Sequence, residues 1–267
     1  MPEAPQWFID LLGWKPATDK TAHQCIRLFD EPIAPNLSDL ASGPSMRLAA
    51  HVYKALGVST AKRVEDLEEG ESGTLLENRL KADLESALEA EDPDRVWSVD
   101  RHRPVTDFAQ FLHLDEIQRV LDENPTLRAT FGGDYQIETD VCVGVENSAD
   151  STAPEFLHAA ISSKWTIRSD RVQNVRHEFA TLVRNRRGRS PHLVVVTAEP
   201  LPTRILSIAR GTGEVDTVYH VLYQQLSDAV SELWDGLTKE QKTAWTEMID
   251  QKRLRSYENL VTDLTLS

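Results

Sequence analysis

The sequence has few cysteines, no long apolar run and no basic amino-terminal cluster, and each absence excludes a class of protein. Its two cysteines, Cys25 and Cys142, are far apart, which argues against a disulfide framework or a zinc site and favours a reducing cytoplasm. The longest apolar runs, such as residues 193–196, are far too short to span a bilayer, so we expect no membrane segment. Residues 1–14 contain acidic but no basic residues, and we expect no signal peptide.

Two common functional motifs are incomplete. Gly211-Thr212-Gly213 is followed by no third glycine, so it does not predict a dinucleotide-binding loop. His177-Glu178 lacks the second histidine of a zinc-protease helix, which argues against zinc-dependent hydrolysis. No internal repeat, low-complexity tract or long linker divides the 267 residues. That length allows one large domain with a substantial core, and we expect a single domain.

Charge is distributed unevenly along the chain. Taken alone, the net charge of −14 argues against a nucleic-acid partner. Residues 160–210, however, hold ten lysines and arginines against three acidic residues, so this segment carries +7 and the remainder −21. Because phosphate binding depends on the local field, a basic stripe on an acidic body can still bind DNA. A solvated basic surface would explain the same count.

The spacing of apolar residues predicts an α/β fold. Strand signatures, either alternating or continuously apolar, occupy residues 135–145, 158–166 and 192–197. Leucines at helical spacing predict a helix over about 72–90, and Ser169 is a plausible N-cap for a helix from Asp170 to about Arg186. We expect a mixed central β-sheet flanked by helices. An irregular amino-terminal arm is expected at about 1–43 and a helical carboxyl-terminal part at about 221–267.

A lysine and a carboxylate on neighbouring predicted strands suggest phosphodiester hydrolysis. This reaction needs acidic ligands for a divalent cation, a positive group near the phosphate and an activated water. Asp140 and Lys164 could meet at one end of a sheet, and Glu178 follows on the next helix. Each has an ordinary alternative: Asp140 and Lys164 could be an incidental pair and Glu178 a helix-surface residue. Glu77 could be an acid favoured by the helix dipole.

A second cluster suits base recognition. Arginine matches the O6 and N7 atoms of guanine, and aspartate accepts a hydrogen bond from cytosine N4. Arg168, Asp170 and Arg171 could therefore bind G·C pairs, although an ion-pair cluster within one helix would explain the same residues.

The combined pattern resembles the CCGG-recognising group of the PD-(D/E)XK type II restriction endonucleases, above all its NgoMIV-type members. The pattern is Asp140, then Ser163-Lys164, then thirteen residues, then Glu178, with Arg168-Ser169-Asp170-Arg171 between. The resemblance is densest over residues 157–219 and weak in the first and last forty. Thr139 stands where the family usually has Pro, and Ser163 where NgoMIV-type enzymes have Cys. Neither change removes a functional side chain.

The resemblance implies the restriction-endonuclease fold, with a single endonuclease domain over residues 1–267, and a role for each matched residue. It implies four catalytic residues, Glu77, Asp140, Lys164 and Glu178. It implies Mg2+ bound by Asp140 and the backbone carbonyl of Ser163. It makes Arg168, Ser169, Asp170 and Arg171 the contacts to the inner CCGG, and Arg204 and Asp39 the contacts to the outer base pair, which favours the site GCCGGC.

The expected function is Mg2+-dependent hydrolysis of both strands of palindromic double-stranded DNA. A palindrome implies a two-fold homodimer, and the family also forms homotetramers that are dimers of dimers. A cognate DNA methyltransferase and a prokaryotic cytoplasm are implied as well. Three alternatives remain: a DNA-repair nuclease of the same fold, a catalytically silent sequence-specific DNA-binding protein, and a metal-independent regulator.

Overall fold

The computed structural model describes five stretches of the chain, 4–64, 71–127, 137–167, 169–211 and 213–266. At Ser169, Asp170 and Arg171 it describes the helix but not the side chains. The helices are α1 (Gln6–Ile9), α2 (Ala22–Phe29), α3 (Gly43–Ala55), α4 (Glu71–Glu91), α5 (Leu112–Asp122), α6 (Ser169–Asn185), α7 (Pro202–Ala209), α8 (Tyr223–Glu232), α9 (Lys239–Asp250) and α10 (Asn259–Thr265). The strands are β1 (Trp14–Pro16), β2 (Ile33–Pro35), β3 (Trp97–Arg101), β4 (Val141–Val145), β5 (Phe156–Lys164), β6 (His192–Thr197), β7 (Thr217–His220) and β8 (Leu254–Ser256).

A six-stranded mixed sheet lies at the centre, in the order β3-β4-β5-β6-β7-β8. The β3–β4 and β4–β5 pairs are antiparallel, whereas β5 through β8 run parallel to one another. Because β4 runs opposite to β5, the start of β4 lies at the same end of the sheet as the last residues of β5, β6 and β7. The expected α/β class, a mixed sheet flanked by helices, is confirmed.

The helices cover both faces of the central strands. β5 and β6 are buried along nearly their whole length, as expected for strands with helices on each face. The leucine stripe of α4 packs against β3, and its members Leu76, Leu80, Leu84 and Leu88 are fully buried. On α6 the apolar residues at helical spacing are also buried, with Val172, Val175, Phe179 and Leu182 in the core. Within the described ranges, no helix is both long and apolar enough to cross a membrane.

The ends of the chain differ from the sequence-based expectation. The arm expected to be irregular contains α1, α2 and the antiparallel β1–β2 ribbon, and its apolar residues Phe8 and Leu12 are fully buried. Elements of three to eight residues are too short for a clear period, and the prolines suggested loops. Near the other end, within the part expected to be helical, α9 ends at Asp250, and Lys252 has a positive φ of 54°. The chain then forms β8, whose three residues are too few to show alternation.

Candidate active site

Asp140 and Lys164 meet at the end of the sheet where β5 finishes. Asp140 immediately precedes β4, and Lys164 is the last residue of β5. The Nζ atom of Lys164 donates a hydrogen bond of 2.5 Å to Oδ2 of Asp140. The same oxygen accepts the amide proton of Ser163 at 2.8 Å and the hydroxyl proton of Ser162 at 3.1 Å. The carboxylate is therefore fixed by three donors from the end of β5.

The residues at this point fit a divalent cation with oxygen ligands. All three hydrogen bonds that described residues give to Asp140 end on Oδ2, which leaves Oδ1 for a cation. In a strand the N–H and C=O of one residue point to the same side, so the carbonyl of Ser163 faces the side of Asp140. Within the described ranges no cluster of three or more His, Cys, Asp or Glu could hold a metal. A carboxylate oxygen and a backbone carbonyl are the kind of ligand that Mg2+ prefers, together with several waters.

Ser163 contributes through its backbone and not through its hydroxyl. Side chains alternate along a strand, and those of Ser162 and Lys164 both contact Asp140, so that of Ser163 points to the opposite face. Its Oγ is buried there, and among the described residues it has no hydrogen-bond partner. The change from the family's Cys to Ser at this position therefore leaves the Asp140 side of the strand unaltered.

Glu178 approaches the pair from helix α6. Its side chain is half-buried, and burial raises the pKa of its carboxyl. The positive charge of Lys164 opposes that rise in pKa, and the negative charge of Asp140 adds to it. These electrostatic contributions show that the structure brings Glu178 within interaction distance of both residues.

Glu77 lies on helix α4, which packs against β3, and two basic residues contact its side chain. It is buried, and its Oε2 accepts hydrogen bonds from Arg101 Nη2 at 2.5 Å and Nε at 3.2 Å. Nε2 of His102 lies 3.1 Å from the same oxygen. Arg101 pairs with Val141, the residue after Asp140, so Arg101 and its partner Glu77 lie beside the site. Since α4 begins at Glu71, Glu77 lies beyond the first turn, where the helix dipole has little effect.

The recognition segment, Arg168-Ser169-Asp170-Arg171, begins directly after β5 and three connecting residues. Arg168 lies outside the described residues, as do the side chains of the other three, so their predicted contacts stay predictions. Helix α6 begins at Ser169 and ends at Asn185, close to the expected bounds. The first turn of α6 therefore carries Ser169, Asp170 and Arg171, and its third turn carries Glu178.

Arg204 and Asp39 contact each other although 165 positions separate them in the sequence. Arg204 on α7 donates from Nη2 to Oδ2 of Asp39, which precedes α3. Its Nη1 lies 3.7 Å from Oε2 of Glu199, a carboxylate with no exposed surface. The two residues assigned to the outer base pair thus form an ion pair, and its arginine also contacts the buried carboxylate of Glu199.

Five residues of this region had no predicted role: Arg101, His102, Ser162, Thr197 and Glu199. Their contacts with Glu77, Asp140, Lys164 and Ile167 span 22 to 33 positions of the sequence, so local spacing carries no signal for these contacts. Glu199 had one possible signal, since it is an acidic residue directly after the apolar run of β6.

Comparison with known proteins identifies the family. A family model described as the NgoMIV restriction enzyme matches residues 21–156 and 146–266. The type II restriction enzyme NgoMIV of Neisseria gonorrhoeae is 41% identical over 184 residues, a match that covers 60% of this chain. The match spans 63% of the length of that enzyme. With nearly all of its sequence matched by the family model, the chain belongs to the NgoMIV restriction enzyme family.

Proposed function

We propose that this chain is a type II restriction endonuclease that uses Mg2+ to hydrolyse both strands of palindromic DNA containing CCGG, with GCCGGC as its site. The observation that carries the proposal is the Asp140–Lys164 hydrogen bond at the end of β5, four residues before the recognition segment. A hydrolytic site and a base-recognition segment so close in the chain suit an enzyme that cuts within the sequence it binds.

In this proposal the described residues divide the work of hydrolysis. Mg2+, when bound, supplies Lewis-acid stabilisation of the charge on the phosphate. Asp140 and the Ser163 carbonyl would hold the cation, and Glu178 would complete the acidic set. The Lys164 ammonium, fixed by Asp140, would orient the attacking water or stabilise the charge on the phosphate. Glu77 would act from helix α4, through its contacts with Arg101 and His102.

Recognition would come from two groups of residues near this end of the sheet. Arg168, Ser169, Asp170 and Arg171, at the start of α6, would contact the inner CCGG in the major groove. Arg204 and Asp39 would contact the outer base pair.

A palindromic site requires a two-fold assembly, so we propose a homodimer or a dimer of dimers. A single endonuclease domain is supported by one large hydrophobic core, which extends from Phe8 in α1 to Leu264 in α10. A host that makes this enzyme needs a DNA methyltransferase of the same specificity to protect its own sites.

Plasmid cleavage tests the proposal. One plasmid carries a single GCCGGC, a second carries ACCGGT and a third lacks CCGG, and each is incubated with and without Mg2+. Linearisation of the first plasmid alone, and only with Mg2+, is the expected result. Intact DNA in every tube, with the first plasmid bound, would identify a silent DNA-binding protein. Equal cleavage of all three plasmids would identify a nuclease without CCGG recognition.

A further inference from the structure

The last residue of β6 and a residue just after it hold both ends of the connection between Lys164 and the recognition segment. Oγ1 of Thr197 donates a hydrogen bond of 2.7 Å to the carbonyl oxygen of Lys164. Oε2 of Glu199 accepts the amide proton of Ile167 at 2.8 Å. The connection, residues 165–167, is thus fixed at its first and last peptide groups by side chains only two positions apart.

Thr197 and Glu199 are also linked to each other. The hydroxyl oxygen of Thr197 accepts the amide proton of Glu199 at 3.1 Å while its proton goes to Lys164. His220, fully buried at the end of β7, lies 3.1 Å from the carbonyl of Glu199 through Nε2. Its Nδ1 accepts the amide proton of Leu222, so Nε2 carries the proton and donates it to that carbonyl. The backbone at Glu199 is therefore held at its amide by the Thr197 side chain and at its carbonyl by His220 of the neighbouring strand.

The Glu199 carboxylate uses both of its oxygens inside the protein. It has no exposed surface, and Oε1 accepts the amide proton of Leu201 at 3.0 Å. Arg204 lies 3.7 Å from Oε2, the oxygen that also binds Ile167. Burying a carboxylate is unfavourable unless hydrogen bonds and a partner charge compensate. Here the compensating groups come from two separate segments, the Ile167 amide from the connection and the Arg204 guanidinium from α7. One carboxylate therefore contacts the connection to the recognition segment and also the arginine assigned to the outer base pair.

We propose that Thr197 and Glu199 are positioning residues that set the placement of the Lys164 ammonium relative to the recognition segment, and that Glu199 couples this segment to Arg204. The inference rests on the proposed function, because it assigns a purpose to the connection between hydrolysis and recognition. An apolar residue at either position would fill the space but could not hold the Lys164 carbonyl or the Ile167 amide.

The first test is Glu199→Gln, with Asp216→Asn as the matched control. Asp216 also accepts a backbone amide proton, that of Leu193, at the opposite end of β6. In the substituted amide an NH2 group replaces one of the two carboxylate oxygens, so either Ile167 or Leu201 loses its acceptor, and we expect faster amide exchange there in the free protein. We expect single-turnover cleavage of GCCGGC to fall roughly 10- to 100-fold with binding retained, as for a small misplacement of reacting groups. Discrimination against ACCGGT should fall as well, whereas Asp216→Asn should leave all three measurements unchanged.

The second test is Thr197→Val, which keeps the shape of the side chain and removes the hydroxyl. We expect it to lower the cleavage rate without changing DNA affinity, and Thr197→Ser to restore the rate. Thr181→Val is the control, because Thr181 is also buried and its hydroxyl bonds within α6, to the carbonyl of His177 and the side chain of Arg184. This pair also decides the matter should the Glu199 variant fail to fold.

The outcomes separate the two proposals. If the wild-type protein leaves GCCGGC intact with Mg2+, the proposed function is wrong and the positioning role falls with it. If the wild type cuts, but the folded Glu199 and Thr197 variants keep its rate, its discrimination and its amide exchange, only the positioning role is overturned. Equal loss of melting temperature and activity in variants and controls would also overturn it, since it would show a purely structural role.

Discussion

Lys164 contacts Asp140 through a single carboxylate oxygen, with Nζ lying 2.5 Å from Oδ2. Only 16% of the lysine side chain and 23% of the aspartate side chain are exposed, so solvent screens this pair less than a surface ion pair. The geometry ties the charge of the lysine to the residue proposed to hold the cation, and removing either partner should disable both.

We therefore expect Asp140→Ala and Lys164→Ala to lower the cleavage rate by roughly 10²–10⁴-fold or more, while binding to GCCGGC is retained. Cleavage assays and gel-shift titrations measure the two properties separately. Lys81→Ala is the control, because Lys81 pairs with Glu85 on the surface of α4 at 3.5 Å and lies outside the site. Loss of folding in the two site variants, seen as a lost melting transition, would show instead that these residues are structural.

Glu77 should influence the rate and not the fold. Glu77→Gln keeps an acceptor for Arg101 but removes the charge, so we expect a roughly 10- to 100-fold slower cleavage with little change in melting temperature. Glu85→Gln on the exposed side of the same helix is the control. An unchanged cleavage rate would mean that Glu77 serves only to neutralise Arg101 and His102.

Arg171 is expected to control selection of the inner sequence. Arg171→Ala should weaken discrimination between CCGG and single-base variants of it by about 1–3 kcal/mol, the usual contribution of a bidentate contact to guanine. Competition binding with duplexes that differ at one inner position measures this free energy. Unchanged specificity would refute the assigned role.

Arg204 should control the outer base pair alone. Arg204→Gln should reduce discrimination between GCCGGC and ACCGGT by a similar free energy, about 1–3 kcal/mol, and leave inner discrimination intact. Arg210→Gln offers a matched control, because Arg210 follows the same helix and pairs with Glu247 at the surface. Loss of inner discrimination in the Arg204 variant would contradict the division of labour.

Glu199 should make the free energy of unfolding depend on pH between pH 4.5 and 8. Burial raises the pKa of its carboxyl to about 7 in the folded state, despite the amide protons it accepts. A carboxyl with a raised pKa stabilises the fold fully below its unfolded pKa, and that contribution is lost as the pH rises through about 7. The free energy of unfolding of the wild type, measured against Glu199→Gln in urea, should therefore fall by about 3 kcal/mol across this range. A difference that stays constant with pH would contradict it.

The sequence predicted the elements with strong periodic or continuous apolar patterns. The bounds of β5, β6 and α6 were expected to within a few residues, because long apolar runs and a 3.6-residue period leave few alternatives. Asp140 and Lys164 were expected to share one end of the sheet, and they do. The partners of Glu77 could not be foreseen, since Arg101 and His102 reach it only after β3 has paired with β4. Short elements such as β8 were not predicted, because three residues are too few to show the two-residue period of a strand.

The ion pair of Arg204 with Asp39 has a consequence for how the protein meets DNA. Each charge is already matched before any phosphate or base arrives, so the pair as a unit adds nothing to the field that attracts a polyanion. Nonspecific association is driven by release of counterions from the phosphates and weakens steeply as salt is added. The Arg204–Asp39 pair does not contribute to this counterion release. Raising the ionic strength should therefore loosen the protein from random DNA while its preference for the outer base pair persists, which separates the search for a site from its verification.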